Sequence, residues 1–217
     1  AGTTAGTLLS RRGWQVTLFE KETHPRFHIG ESLLPQNLPI FEELGVLEDI
    51  KRIGILKPGA DFSMPDQGYS HSTFLFDRAL GDSPGYAYQV KRSEMDHLLF
   101  ENCAKNGVNC IENHTVTKTL LKPDATHELE VTDSQGHIAK WRCKYLIDAS
   151  GRDTMLASQE KWKKRNRSHA SAALFTHFEN VTRRPGSESG NISIYWFEGG
   201  WIWMIPLSDG VTSVGAV

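Results

Sequence analysis

The feature that most constrains the fold is a continuous apolar run, Val16-Thr17-Leu18-Phe19, closed by the carboxylate of Glu20. An uninterrupted run suits a strand buried on both faces, as in a parallel sheet, better than a half-exposed antiparallel one. The segment before it, Gly2 to Gly13, holds small residues, then Leu8 and Leu9, then Arg11 and Arg12 ahead of the glycine. That order predicts a short helix with cations at its C-terminal end and a glycine stop. A second apolar run, Lys144–Ile147, leads into Asp148-Ala149-Ser150-Gly151-Arg152 and reads as a further strand of the same kind. Open α/β sheets hold ligands at the C-terminal ends of such strands.

Between these runs the pattern alternates. Helical periodicity covers Pro35–Leu44 and Leu47–Ile53, with Gly45 as punctuation and Pro39 as a kink or restart. Short strands separated by Gly, Pro, Asp and Ser are expected at Ala60–Met64, Thr73–Arg78 and Tyr86–Lys91. Ser93-Glu94-Met95-Asp96 opens a helix to Lys105, closed by Asn106-Gly107. Strands follow at Val108–Ile111 and Thr115–Leu121, then a hairpin of His127–Thr132 and His137–Trp141. The last third alternates as strands at Ala172–Glu179, Asn191–Phe197, Trp201–Pro206 and Val211–Val217. A βαβ core interrupted by antiparallel strands is an α/β architecture, and 217 residues suffice for one or two domains.

Composition excludes several classes. Lys and Arg total 24 against 26 Asp and Glu, so no basic field invites nucleic acid, and the run Lys161–Arg167 reads as a solvated loop or helix end. The longest apolar stretch, Trp201 to Leu207, is far short of the roughly 20 residues a membrane helix needs. Cys103, Cys110 and Cys143 form no close pair, and this odd, sparse count fits a reducing cytoplasm. No histidine or cysteine spacing matches a metal signature, so no metal is expected.

Gly2 and Glu20 stand 18 positions apart, one opening a helix and the other ending the strand that follows. In a dinucleotide-binding unit the last glycine of the phosphate loop lets helix and strand pack closely, and an acidic residue about 20 positions on holds the ribose hydroxyls. A helix-to-strand turn ending in Glu is also generic. The decisive pattern is the ordered set Thr17–Lys21, Pro25–Pro35 with Gly30-Glu31-Ser32, Leu146–Arg152, and Trp201-Ile202-Trp203-Met204-Ile205-Pro206. Together these segments resemble the flavin-dependent halogenases, within the FAD monooxygenases of p-hydroxybenzoate hydroxylase shape. The likeness runs over essentially the whole chain.

The resemblance implies an FAD-binding, Rossmann-like parallel sheet interleaved with an antiparallel substrate-side sheet. Residues 1–54 and 93–156 would form the flavin portion, and 55–92 and 157–217 the substrate-side portion. Cofactor contacts would fall to Gly2, Glu20, Arg26, Gly30, Glu31, Ser32, Arg92, Asp148 and Gly151. Arg26 suits a bidentate phosphate contact and equally a surface loop charge; Arg92 matches a flavin-side arginine and equally a strand-end salt bridge. Trp201, Trp203, Ile205 and Pro206 would lie beside the flavin and bar ordinary monooxygenation, though their alternation is also what one apolar strand face demands. Lys57, in Ile55-Leu56-Lys57-Pro58-Gly59, matches the family lysine that captures hypohalous acid. A desolvated amine can be halogenated, whereas the bland alternative is a solvated lysine before a turn. On the functional reading Lys57 points into a cavity bordered by Trp201 and Trp203.

The implied activity uses reduced FAD (FADH2) from a flavin reductase, O2 and a halide ion to halogenate a small-molecule or carrier-bound electron-rich aromatic. An FAD monooxygenase, a geranylgeranyl-reductase-like oxidoreductase and a non-catalytic flavin-fold remnant are the alternatives. Gly30-Glu31-Ser32-Leu33 departs from the Gly-Glu-Ala-Thr of tryptophan halogenases and suits enzymes acting on phenols, pyrroles or carrier-bound aromatics. The chain is further expected to be a fragment, lacking the first strand and the C-terminal region. Val16–Glu20 and Lys144–Asp148 would then flank an absent strand, roughly 10 Å apart and without a ladder between them.

Overall fold

The structure, a computed structural model, describes residues 1–64, 69–123, 126–164, 166 and 171–217. Along the chain run α1 (Gly2–Arg11), β1 (Thr17–Phe19), α2 (Asn37–Leu44), α3 (Leu47–Ile53), β2 (Ile55–Lys57) and β3 (Gly59–Met64). There follow β4 (Tyr69–Leu75), β5 (Ala87–Gln89), α4 (Arg92–Lys105), β6 (Asn109–Ile111), β7 (His114–Leu120) and β8 (His127–Asp133). The remainder is β9 (Ile138–Cys143), α5 (Met155–Gln159), β10 (Leu174–Phe178), β11 (Ile192–Phe197), β12 (Gly200–Pro206) and β13 (Thr212–Ala216).

Two compact units result: Ala1–Arg26 with His97–His169, and Phe27–Asp96 with Ala170–Val217. Residues 27–54 therefore group with the second unit, not with the first as the sequence division has it. The reason is backbone pairing beside β5, where Leu33 N–H donates to the Tyr88 carbonyl and Val90 N–H to that of Glu31.

In the first unit α1 ends as expected, with Gly13 at φ +85° and its N–H bonded to the Ser10 carbonyl. β1 pairs in parallel with β6, Leu18 opposite Cys110. β7, β8 and β9 form an antiparallel meander, one strand more than the expected hairpin. Phe19 meets the Trp141 ring edge-on at 5.1 Å. Lys144–Ile147 is not a strand: it forms no ladder, and Tyr145 and Ile147 are exposed. Among the described residues no backbone hydrogen bond joins it to Val16–Glu20. A strand needs a neighbour to count as one, and this segment has none.

The second unit is built on a six-stranded sheet in the order β10-β13-β12-β11-β3-β4, with β2 and β5 as a separate antiparallel pair. The sheet is not wholly antiparallel, because β11 runs parallel to β3, with Ile194 opposite Phe62. The chain enters both strands from the same end: Gly190 packs so tightly on Leu56 that a Cβ there would overlap the Leu56 carbonyl. Trp203, Ile205 and Leu207 form a buried cluster with Ile29, Ile192, Val211 and Val217 against it. Leu38, Phe41, Leu44 and Ile50 bury one side of the α2–α3 pair. Pro39 kinks nothing, because it sits in the first turn of α2, where its missing N–H has no helical partner to lose. The basic run Lys161–Arg167 lies partly outside the described residues. Among the described residues no helix is long and apolar enough to cross a membrane.

Candidate active site

Lys57 ends β2, opposite Ala87 of β5, and is only 2% exposed. Its ammonium donates to Ser32 Oγ at 2.8 Å and to the Leu33 carbonyl at 2.9 Å. It also stands 5.1 Å above the centre of the Phe76 ring. Those partners are neutral, and among the described residues no carboxylate pairs with it. Burial disfavours the charged amine and lowers its pKa to about 8. The solvated-lysine alternative is excluded. The polar and ring partners of Lys57 are Ser32, Leu33 and Phe76. The cause is the Glu31–Leu33 segment: Ser32 forms a bridge with Gln89 of β5 and so brings its hydroxyl to the lysine.

That segment is itself held on both sides. Gly30 adopts φ +112°, open to glycine and costly for other residues, and a Cβ there would stand 2.9 Å from Arg92 Nη1. Arg92 donates through Nη1 to the Ile29 carbonyl at 3.0 Å and clasps Asp96 through Nε and Nη2 at 2.8 and 2.9 Å. Arg92 thus makes its salt bridge within the first turns of α4 rather than at a strand end, and the same side chain fixes the Gly30 turn. Glu31 is 1% exposed; its Oε1 lies 2.8 Å from His177 Nε2, while its Oε2 has no hydrogen-bond partner. His177, on β10, was invisible to sequence reasoning because 146 positions separate it from Glu31.

Trp203 and Ile205 are core residues of the sheet, and Trp201 is exposed. Trp203 donates Nε1–H to Ser213 Oγ at 3.3 Å, tilts against Phe175 and Trp201, and lies directly over Gly215. Pro206 closes β12, with Leu207 buried after it.

In the first unit Glu20 accepts from the Glu22 N–H at 3.0 Å and from Arg26 Nη2 at 3.2 Å, while Arg26 Nε meets Glu22 at 3.1 Å. Asp148 Oδ1 accepts the Ser150 N–H and Oδ2 the Leu156 N–H, both at 2.9 Å. Burial pushes the Asp148 carboxyl up, and the hydrogen bonds from Ser150 and Leu156 outweigh it, leaving the group below its ordinary range. Asp148, Ala149, Ser150 and Gly151 line an open concavity of about 290 Å³ with Ala1, Thr154 and Ala157. A Cβ on Gly2 would touch that of Ala149 at 3.2 Å, so the glycine does permit close approach.

Residues 76–217 match the family model for tryptophan halogenase. The chain belongs to the tryptophan halogenase family. It is 32% identical to the flavin-dependent halogenase gsfI of Penicillium aethiopicum, matching all of this chain and 44% of that protein. It is 34% identical to the tryptophan 2-halogenase of Chondromyces crocatus, matching all of this chain and 41% of that one. The solved structure of the myxobacterial chondrochloren halogenase CndH, an FAD-dependent halogenase, superposes with a TM-score of 0.82 at 33% identity. That match covers 99% of this chain and 49% of CndH. The chain thus spans about half the length of the family members it resembles, and its mixed α/β fold is theirs.

Proposed function

We propose that this chain is the flavin-side half of an FAD-dependent halogenase acting on an electron-rich aromatic, with Lys57 as its catalytic residue. The observation that carries the reading is a family lysine buried among neutral partners, with its pKa lowered to about 8. Near neutral pH such an amine exchanges its proton readily, so it can present either a hydrogen-bond donor or a nucleophilic nitrogen to an electrophilic halogen species.

The residues present fit FAD. Gly2 is pressed on Ala149, Glu20 offers a carboxylate at the end of β1, and an open concavity lies beside Asp148–Gly151. Glu31 Oε2 is a buried acceptor without a donor, as expected where a cofactor N–H or O–H would approach. In this reading Glu20, with Arg26 tied to it, serves the ribose and phosphate end, and Asp148 and Gly151 shape the strand-end cradle. Gly30, Glu31 and Ser32, held by Arg92, border the ring. Trp201, Trp203, Ile205 and Pro206 form the apolar wall that excludes water. When bound, reduced FAD would donate electrons to O2, the oxidant, to bring it to the peroxide level that oxidises halide, and a separate flavin reductase would restore the reduced flavin. The protein's own part is to hold Ser32 and the Leu33 carbonyl against Lys57, which fixes where the amine sits.

The test is Lys57→Ala in the full-length protein with FAD, a flavin reductase, chloride or bromide, and a phenol or pyrrole panel. Halogenated product should vanish while FAD binding and O2 consumption persist. Halogenation at near wild-type rate would refute the role of Lys57. Hydroxylated product that ignores halide would favour a monooxygenase instead.

A further inference from the structure

On the second unit, away from the residues assigned above, Asp61 of β3, His71 and Thr73 of β4, and Glu188 of the 3-10 turn Gly186–Gly190 bring their donor atoms together. We propose that these residues form a binding site for a divalent transition-metal ion of the zinc type. The proposal is independent of the halogenase reading.

The distances carry it. The ligand atoms of Asp61, His71 and Glu188 all lie within 4.8 Å of one another. His71 Nε2 is 4.0 Å from Asp61 Oδ1 and 3.9 Å from Glu188 Oε2. Thr73 Oγ1 sits among them, 2.8 Å from His71 Nε2, 2.8 Å from Asp61 Oδ1 and 3.4 Å from Glu188 Oε1. Donors about 2.1 Å from one ion stand roughly 3.0 to 4.2 Å apart, depending on the angle between them. His71 Nε2 therefore already stands at ligand spacing from Asp61 and Glu188, while Thr73 Oγ1, closer than two ligands of one ion would lie, is a hydrogen-bonded neighbour of the set.

The electrostatics agree. Asp61 is wholly buried, and its Oδ2 makes no hydrogen bond, with Arg184 Nε standing 3.7 Å away. Its Oδ1 accepts from Asn191 Nδ2 at 3.2 Å, the kind of outer partner that orients a ligating carboxylate. A buried carboxylate costs free energy that the Arg184 guanidinium, in ion-pair range but not hydrogen-bonded to it, offsets in part, and a cation would lower that cost further. One imidazole and two carboxylates favour Zn2+ or Co2+ over the all-oxygen cages of Ca2+. The ion would clip the Gly186–Gly190 turn to β3 and β4. That turn backs the Lys57 strand, since Gly190 packs against the Leu56 carbonyl of β2.

The experiment titrates the chelator-treated protein with Co2+, following visible ligand-field bands, and then with Zn2+ to displace it. His71 and Glu188 are partly exposed, so His71→Ala and Glu188→Gln should fold, and circular dichroism verifies this. One Co2+ per chain should bind with bands of a mixed N/O site, and each variant should weaken binding at least ~10-fold. Melting temperature should rise with Zn2+ in the wild type and in neither variant. Absence of bands and of a melting shift overturns the proposal, leaving Thr73 as a hydrogen-bond hub. Equal binding in the wild type and both variants overturns it too.

Discussion

Lys57→Met removes the buried charge while keeping the aliphatic stem, and the pH dependence of stability isolates what that charge costs. The folded amine titrates near 8 against an ordinary value of 10.5, because burial disfavours the ammonium. Between those values the unfolded chain binds more protons than the folded one, so stability rises with pH across that window. From pH 7 to 9.5 the wild type should gain about 2 kcal/mol from this group alone. The variant should gain nothing from this source, whatever the absolute cost of losing the bonds to Ser32 and Leu33. Urea unfolding of both proteins at the two pH values gives the difference directly, since other titrating groups cancel. Parallel pH profiles for the two proteins would refute the claim that Lys57 is desolvated, and with it the basis for a reactive amine at neutral pH.

Other positions make sharper single tests. Gly30→Ala places a side chain at φ +112° against Arg92 and should destabilise by about 1–3 kcal/mol, read by thermal unfolding. Gly215→Ala drives a methyl into the Trp203 ring and should cost about 1–3 kcal/mol, with a shift in tryptophan emission as the indole is displaced. His177→Ala leaves Glu31 buried without its Oε1 partner and should cost about 1–3 kcal/mol, part of it recovered when Glu31→Gln is added. Additive effects of those last two substitutions would show that the residues do not act as a pair.

Much of the local structure was legible because periodicity is local. The span from Gly2 to Gly13, the turn at Gly45 and the strand Trp201–Pro206 each carry their signal within a dozen residues. What escaped reading depends on pairing across the chain. Lys144–Ile147 has a strand's composition but no ladder, and nothing in its own residues says so. The parallel register of β11 on β3 is set by chain entry at Gly190 and Lys57, 133 positions apart. The donor set of Asp61, His71 and Glu188 matches no spacing rule because three segments supply it. Lys57 was identified by resemblance; its burial, its hydroxyl partner and the Phe76 ring came only from the structure.

The hydrogen bond from Lys57 to Ser32 joins two readings that the sequence keeps separate. Ser32 belongs to the segment proposed to border the flavin ring, and Lys57 to the strand proposed to carry the halogen. The Gly30 turn is fixed by Arg92, Glu31 by His177, and Ser32 and Leu33 by β5 backbone contacts. Each of those restraints therefore bears on the position of the ammonium as well as on the loop. The Leu33 carbonyl stays available to the amine when Ser32 loses its hydroxyl, so Ser32→Ala should not unfold the protein. It should leave Lys57 with one oxygen partner in place of two, and halogenation should fall more than FAD affinity does. If FAD affinity fell as far as turnover, Ser32 would be acting on the cofactor alone and its coupling to Lys57 would be absent.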